Sequence, residues 1–562
     1  MPPSATSVAE MLRRFGIANL RPAQQAALAA LAAARDVLVI LPTGGGKSLC
    51  YQLPAACGLS PAIVVSPLVA LMKDQVDALR RRGVAAAQLS GAVSSAERDR
   101  AWGLLNEGAL TLLYLAPEAL ASAATVRRLA RAAPRLLAIY EAHCISEWGE
   151  SFRPSYLALG AVRAQLGYPP TIALTATATP RTAREIVSRL ALRDPLRVSG
   201  GFDRANLYLE VRAVDGEHAR LTQLLTLARG APGPAVVYAG TRRDTERLAG
   251  AYRRIGIAAA PFHAGLPTDE RSRLQDRFLD NRVSTIVATN AFGMGVDKPD
   301  VRLVVHSVPP LTLEAYYQEA GRGGRDGKLA HCVLLLGPDD LKRARARILG
   351  GTVTPDLLAR LVVLFEATRP QGVVGGEKGG VRLLAHALDV APRDVEIALR
   401  LLAESGALVP AGGAGRLRVV ATPARLHADR NIVSDDATAL LRLMAEYPGS
   451  ASDGAHLSMR EIARIAPDGD ASRFLQRIAS RQLAVWRPSD LAWRMRHHPP
   501  YAVLEQLASR HATRSARDAW RHAQVARMVT ATRCRRTVLL RYFGDAGPPG
   551  PCGACDVCGT LS

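Results

Sequence analysis

The sequence predicts an α/β protein: two parallel-sheet domains in tandem, a winged-helix-like region, and a small helical module built around four cysteines. Three observations predict this. Short apolar runs alternate with helical patterns from about residue 10 to residue 345, as strands do when crossover helices bury them on both faces. The glycine pair Gly200 and Gly201 interrupts the series midway, as a linker would. Cys534, Cys552, Cys555 and Cys558 crowd the end of a chain of 562 residues, a length that accommodates three or four cores.

The first series of strands is read at residues 36–42, 62–67, 110–117, 136–140 and 171–177. The second is read at 235–240, 258–265, 284–290, 301–307 and 331–337. Each set suits one parallel sheet. Beyond about residue 350 the pattern changes. Residues 383–409 read as helix, turn, helix and a strand entering a wing, and residues 459–496 as a second such unit or its continuation. Within the latter, VWRPSDLAWRM (485–495) alternates about a turn at Pro488 to Asp490 and reads as a hairpin. The expected domains are 1–200, 201–347, 348–510 and 511–562.

The formal net charge of +22 comes from 72 basic and 50 acidic residues, only six of the bases being lysine. A GC-rich genome that uses arginine freely accounts for part of this, and a polyanionic partner for the excess. There is no convincing 18-residue apolar run and no apolar stretch at the N-terminus. The expectation is therefore a cytoplasmic protein without a membrane partner.

LPTGGGKSLCYQLPA (41–55) places glycines between a strand and a helix. Thr43, Gly44, Gly45, Gly46, Lys47 and Ser48 form the candidate phosphate site. Glycines let the backbone N–H groups curl around phosphate oxygens, and the helix dipole favours the charge. Lys47 is expected on the β and γ phosphates of ATP, and Ser48 on Mg²⁺. Leu41 stands where the general pattern starts with glycine.

With LRPAQQ (20–25), VVSPLVALMKDQV (64–76), EAHCISEWG, SFRPSY, LTATATP, FHAGL, ATNAFGMGVDKPDVRLVVH and YYQEAGRGGRDG (316–327), the chain resembles the RecQ family of DNA helicases in superfamily 2. The likeness covers most of residues 10 to 345 and resumes near 520. It implies two RecA-like motor domains that close around ATP and drag a DNA strand. Arg21, Gln24 and His143 join the nucleotide-binding set by resemblance. Glu141 is implied to handle the attacking water, with Gln318 facing the nucleotide and Arg322 and Arg325 as arginine fingers from the second domain. Trp148, Phe152 and Arg153 match the aromatic-rich loop, where rings stack on unpaired bases; a core role is the alternative for Trp148. The resemblance implies 3′ to 5′ movement on single strands, unwinding of forked duplexes, and work in DNA repair or recombination at the bacterial nucleoid. An RNA helicase of the same superfamily is the rival activity.

Two departures matter. The family reads D-E-A-H where this chain has Tyr140, Glu141, Ala142 and His143. A phenol, neutral at pH 7, does not replace a carboxylate on a hard cation. The expectation is retained ATP binding with impaired hydrolysis, the alternative being a single-residue change in an otherwise active lineage. The family's W-G-H-D-F-R-P becomes WGESFRP, which touches the loop that links DNA to turnover.

The spacing C-x17-C-x2-C-x2-C suits four thiolates around a tetrahedral Zn²⁺ in a closed structural site, with an iron–sulfur cluster as the rival. Cys534 is read inside one helix. Arg514, Arg517, Arg521, Arg527, Arg533, Arg535 and Arg536 around it suggest either a solvated face or contact with the DNA backbone. Trp486 and Trp493 suggest either a wedge at a duplex junction or packing within the wing. The zinc cluster lies some 180 residues beyond the motor, and the chain ends at Ser562, so no further helical DNA-binding domain is expected.

Overall fold

The computed structural model describes residues 5–559 except 43, 68, 91–92, 147–153, 291, 293–297, 368–377, 411–413, 424–425, 427–433, 448–449, 452–454, 481–482 and 489–492. The chain forms two compact units, Met1–Ala344 with Trp520–Ser562, and Arg345–Ala519.

The first unit holds both large sheets. Strands β1 (Val37–Ile40), β2 (Ala62–Val65), β3 (Ala86–Leu89), β4 (Leu112–Leu115), β5 (Leu136–Tyr140), β6 (Thr171–Thr175) and β7 (Leu196–Ser199) pair in the order β3-β4-β2-β5-β6-β1-β7, every pairing parallel. Alternate residues feed two cores. Leu38, Ile63, Leu113 and Ala173 face one layer of helices, and Val37, Val64, Ala138 and Ile172 face the other. Fully burying each aliphatic side chain contributes about 1.5–3 kcal/mol, which is why these strands read as continuous apolar runs. The edge strand β3 was not among the expected strands: its AAQL is too small and polar to stand out.

β8 (Leu207–Ala213), β9 (Ala235–Tyr238), β10 (Ala259–Phe262), β11 (Thr285–Ala288), β12 (Leu303–His306) and β13 (Ala330–Leu336) form the second parallel sheet in the order β10-β11-β9-β12-β13-β8. We call the two sheets with their helices the first and second lobes. Residues 200–206 join them.

The unit Arg345–Ala519 contains two helix-and-wing assemblies. In one, helices Pro355–Ala367, Lys378–Leu388 and Pro392–Glu404 pack with a ribbon of β14 (Leu408–Pro410) and β18 (Trp493–Met495). In the other, β15 (Ala414–Val419) lies between β16 (Ala455–Ser458) and β17 (Ala484–Pro488), backed by helices Ser434–Glu446 and Ala471–Ser480. The hairpin expected at 485–495 is thus not formed. β17 pairs with β15 and β18 with β14, so the two strands belong to different sheets. The side chains of Trp486 and Trp493 lie outside the described residues.

Helix Tyr501–Val529 runs across the boundary expected at residue 510. Cys534 is not inside a helix: it caps the next one, Arg535–Tyr542, and its sulfur accepts from Thr537 N at 3.5 Å. No described helix is long and apolar enough to cross a membrane.

Candidate nucleotide cleft and cysteine cluster

The order of the first sheet puts β6 between β1 and β5, so the loop after β1 and the turn after β5 flank the end of β6. That arrangement gathers the phosphate loop, Glu141 and Thr175 at one carboxyl edge, where open α/β sheets bind ligands. Gly44 and Gly46 have φ of 81° and 77°, which their side-chain-free backbone accepts. A methyl on Gly45 would come within 2.9 Å of Pro42 O. Lys47 is buried, and its Nζ donates to Leu41 O at 3.0 Å and Pro42 O at 3.2 Å. Burial lowers its pKa; Glu141 opposes this and Arg325 adds to it. Thr43 lies outside the described residues.

Beside the loop, Arg21 Nη1 donates to Gly44 O at 3.3 Å and Gln24 Nε2 to Gly46 O at 3.2 Å. Gln24 Oε1 accepts from Arg21 N at 2.9 Å, which fixes the amide orientation. A cavity of about 500 Å³ opens there, lined by Phe15, Ile17, Arg21, Gln24, Gly46 and Gln52 among others. Its mixed apolar and amide lining suits a flat base.

At the end of β5, Glu141 adopts a left-handed φ of 51°, unusual for a residue with a side chain. The turn directs its carboxylate inward, where Oε2 is buried with no aligned hydrogen bond. His143 Nδ1 is its ionic neighbour at 3.3 Å and also lies 2.9 Å from Thr175 Oγ1. Burial would raise the Glu141 pKa, but His143 and Lys47 outweigh it and hold the group below its ordinary value. Glu141 is thus a carboxylate at neutral pH.

Tyr140 precedes it. Burial, then Glu141 and Tyr51, push the phenol pKa well above its ordinary value. The Ser48 hydroxyl is a hydrogen-bonding neighbour of both Tyr140 and Tyr51. The Tyr140 and Tyr51 rings meet edge to face at 6.4 Å, and Tyr51 meets Tyr114 likewise at 6.3 Å. The position where resemblance expects a carboxylate thus holds a neutral ring, built into an aromatic row behind the loop.

The second lobe supplies the other wall. Gln318 Nε2 donates to Thr177 Oγ1 at 3.1 Å. Arg322 is buried, and its Nε and Nη1 have no hydrogen-bond partner. It is close enough to act electrostatically on Glu141. Arg325 lies against the phosphate loop, its Cγ 3.8 Å from where a Gly44 methyl would be. Lys47, Ser48, Glu141, His143, Gln318, Arg322 and Arg325 thus lie around one cleft. Thr175, Thr177 and Tyr51 were not singled out, although LTATATP contains the first two. Trp148, Phe152 and Arg153 lie outside the described residues.

The sulfurs of Cys534, Cys552, Cys555 and Cys558 all lie within 4.8 Å of one another, as tetrahedral Zn²⁺ requires. The module continues the second sheet: Cys555 bridges Leu209, Leu209 N donates to Ala554 O at 3.1 Å, and Asp556 N to Leu209 O at 3.0 Å. It thereby covers the free edge of β8. The arginines here divide. Arg514, Arg527 and Arg533 are exposed, but Arg517, Arg521, Arg535 and Arg536 are buried. Arg535 pairs with Asp556 at 2.5 Å and Arg521 with Glu314 at 3.4 Å. Those four are internal struts and do not form a DNA-facing stripe.

Three family models match the chain: DEAD/DEAH box helicase over residues 21–186, helicase conserved C-terminal domain over 217–327, and RecQ zinc-binding over 501–559. A probable ATP-dependent DNA helicase RecS of Bacillus subtilis is 40% identical over 356 residues, covering 63% of this chain and 71% of the relative. The ATP-dependent DNA helicase RecQ of the same organism is 42% identical over 329 residues, covering 58% of this chain and 55% of the relative. The chain thus spans little more than half the length of some relatives. Among solved structures, the DUF1998 helicase MrfA bound to DNA aligns with a TM-score of 0.51 at 18% identity, covering 73% of this chain and 62% of that one. The DEAD-box helicase Mss116 bound to single-stranded RNA gives 0.51 at 16%, covering 70% and 88%. These structural likenesses concern the fold alone.

Proposed function

The chain belongs to the RecQ family of DNA helicases, and from that premise we propose that it is an ATP-driven motor moving 3′ to 5′ on single-stranded DNA and unwinding forked duplexes in repair or recombination. Its place of work would be the bacterial nucleoid. The observation that carries the reading is Arg322, a buried second-lobe guanidinium with two unpartnered nitrogens, close enough to act electrostatically on Glu141 of the first lobe. Buried N–H groups left without acceptors are costly, and a triphosphate between the lobes would satisfy them.

In this reading the backbone of Gly44–Gly46 and Lys47 grip the phosphates, and Arg21 and Gln24 border the base. Glu141, held as a carboxylate, orients the attacking water and accepts its proton. Arg322 and Arg325 stabilise charge on the leaving phosphate. The path from Glu141 through His143, Thr175 and Thr177 to Gln318 ties this chemistry to lobe closure. The four thiolates would hold Zn²⁺, which supplies a structural cross-link and no catalysis.

Magnesium fits the residues poorly. Position 140 offers a neutral phenol, and the Ser48 hydroxyl is engaged with it and with Tyr51. This favours a second reading: a nucleotide-binding DNA clamp whose hydrolysis is weak. Unwinding assays on forks with a 3′ or a 5′ tail, using this chain beside Tyr140→Asp, test both. The motor reading expects unwinding of the 3′-tailed fork by at least the aspartate variant. No unwinding by either variant, with DNA-dependent nucleotide binding intact, would leave the clamp.

A further inference from the structure

The short segment after the cysteine-capped helix touches both lobes and the linker between them. Asp545 Oδ2 accepts a hydrogen bond from Phe202 N at 2.6 Å. The Phe543 ring stacks on Phe202 with centroids 4.5 Å apart and planes 13° from parallel, and it leans on Tyr317 at 5.0 Å. Tyr317 directly precedes Gln318. Tyr542 Oη donates to Glu314 Oε1 at 2.7 Å on the same second-lobe helix. On the first lobe, Gly544 (φ 91°) packs so closely that a methyl there would come 2.9 Å from Pro180 Cγ. Pro180 opens the helix that begins three residues after Thr177.

The same module grips the linker a second time. Arg536, buried, donates to Asp203 Oδ1 at 2.5 Å, to Arg204 O at 2.7 Å and to Leu207 O at 2.5 Å. Arg204 in turn donates to Gly321 O at 3.3 Å, Gly323 O at 2.9 Å and Gly324 O at 3.0 Å. Those carbonyls belong to the turn that carries Arg322 and Arg325.

We propose that Asp545, Phe543 and Arg536 are positioning residues: they form a strut from the cysteine module onto the interlobe linker, which holds the lobes where Gln318 meets Thr177 and Arg325 lies against the phosphate loop. The proposal rests on reading the cleft as the ATP site. Its physical basis is that residues 200–206 lie between the two sheets and so must adjust when the lobes move. Stacking and charge-assisted hydrogen bonds on both sides of Phe202 restrict that adjustment. The metal module would then set the motor's geometry as well as closing a sheet edge.

The test uses the full chain with two dyes attached through azide-bearing residues at the exposed positions of Arg127 on the first lobe and Arg254 on the second. Single-molecule distance distributions, recorded without nucleotide, compare the parent with Asp545→Ala and Asp545→Asn. Asp545→Ala is expected to broaden the distribution while zinc content and oligonucleotide affinity hold. Affinity for a non-hydrolysable ATP analogue should fall about five- to tenfold, the worth of one lost hydrogen bond. Asp545→Asn keeps an acceptor oxygen and should behave as the parent. An unchanged distribution in Asp545→Ala, or equal broadening in Asp545→Asn, overturns the strut. Because the distance measurement needs no nucleotide, a parent that binds no ATP analogue would sink the ATP reading and leave the strut to be judged on distances.

Discussion

Gln318 of the second lobe donates its side-chain amide to the hydroxyl of Thr177 on the first, at 3.1 Å. Thr177 N donates in turn to Thr175 Oγ1 at 3.2 Å, and Thr175 meets the imidazole that flanks Glu141. A polar path therefore links the Glu141 carboxylate to the second lobe. Gln318→Ala should lower DNA-stimulated kcat about tenfold, the worth of one buried hydrogen bond. Thr177→Val should do the same, and the double variant should cost no more than either alone, because both remove one interaction. Additive losses in a steady-state ATPase series would contradict this path.

Tyr140 sets the second prediction. Its phenol is neutral and occupies the Ser48 hydroxyl. Tyr140→Asp restores a carboxylate beside the loop and should raise ATP turnover by on the order of 10²-fold, if metal stabilisation contributes several kcal/mol. Tyr140→Phe removes the hydroxyl without adding charge and should leave turnover low. A phosphate-release assay reads both, and equal rates in the parent and Tyr140→Asp would contradict the account.

Arg322 gives a prediction of opposite sign for stability and function. Its buried, partly unsatisfied guanidinium costs stability in the nucleotide-free protein. Arg322→Leu should stabilise that state by about 1–3 kcal/mol, seen as a higher Tm. The same variant should lose most of the Tm rise that an ATP analogue gives the parent. On the Tyr140→Asp background, its kcat should fall about 10³-fold or more.

The cysteine module predicts a metal-linked structural loss. Chelation, or Cys558→Ala, should lower Tm, because the thiolates fold their turn only around the ion. Leu209 would then lose its partners at Ala554 and Asp556, leaving the edge of β8 bare. Concentration-dependent aggregation by light scattering is the expected sign, and a chelated protein that stays monomeric with unchanged Tm would argue against it.

What the sequence disclosed, and what it hid, has physical causes. The phosphate loop, Glu141 and the paired arginines could be picked out as candidates because the chemistry proposed for each demands particular residue types at a fixed spacing. The parallel strands were legible because burial on both faces leaves little room for polar residues. The edge strand β3, with Gln88 in its four residues, gave no such signal. The hairpin expected about Pro488 failed because local turn chemistry says nothing of which distant strand competes for pairing. The arginine stripe misled because charge counts do not reveal partners. Arg521, Arg535 and Arg536 find Glu314, Asp556 and Asp203 far away in the chain. The row from Tyr140 through Tyr51 to Tyr114 joins three separate elements, and spacing could not have disclosed it.

The central claim is that a triphosphate bridges Lys47 and Arg322 between the lobes. Equilibrium titration of the purified chain with a fluorescent, non-hydrolysable ATP analogue, with and without a single-stranded oligonucleotide, tests this most directly. The account predicts saturable binding that Lys47→Ala and Arg322→Ala each weaken by at least tenfold, a loss of about 1.4 kcal/mol or more. No binding in either condition, or binding indifferent to both substitutions, would contradict it.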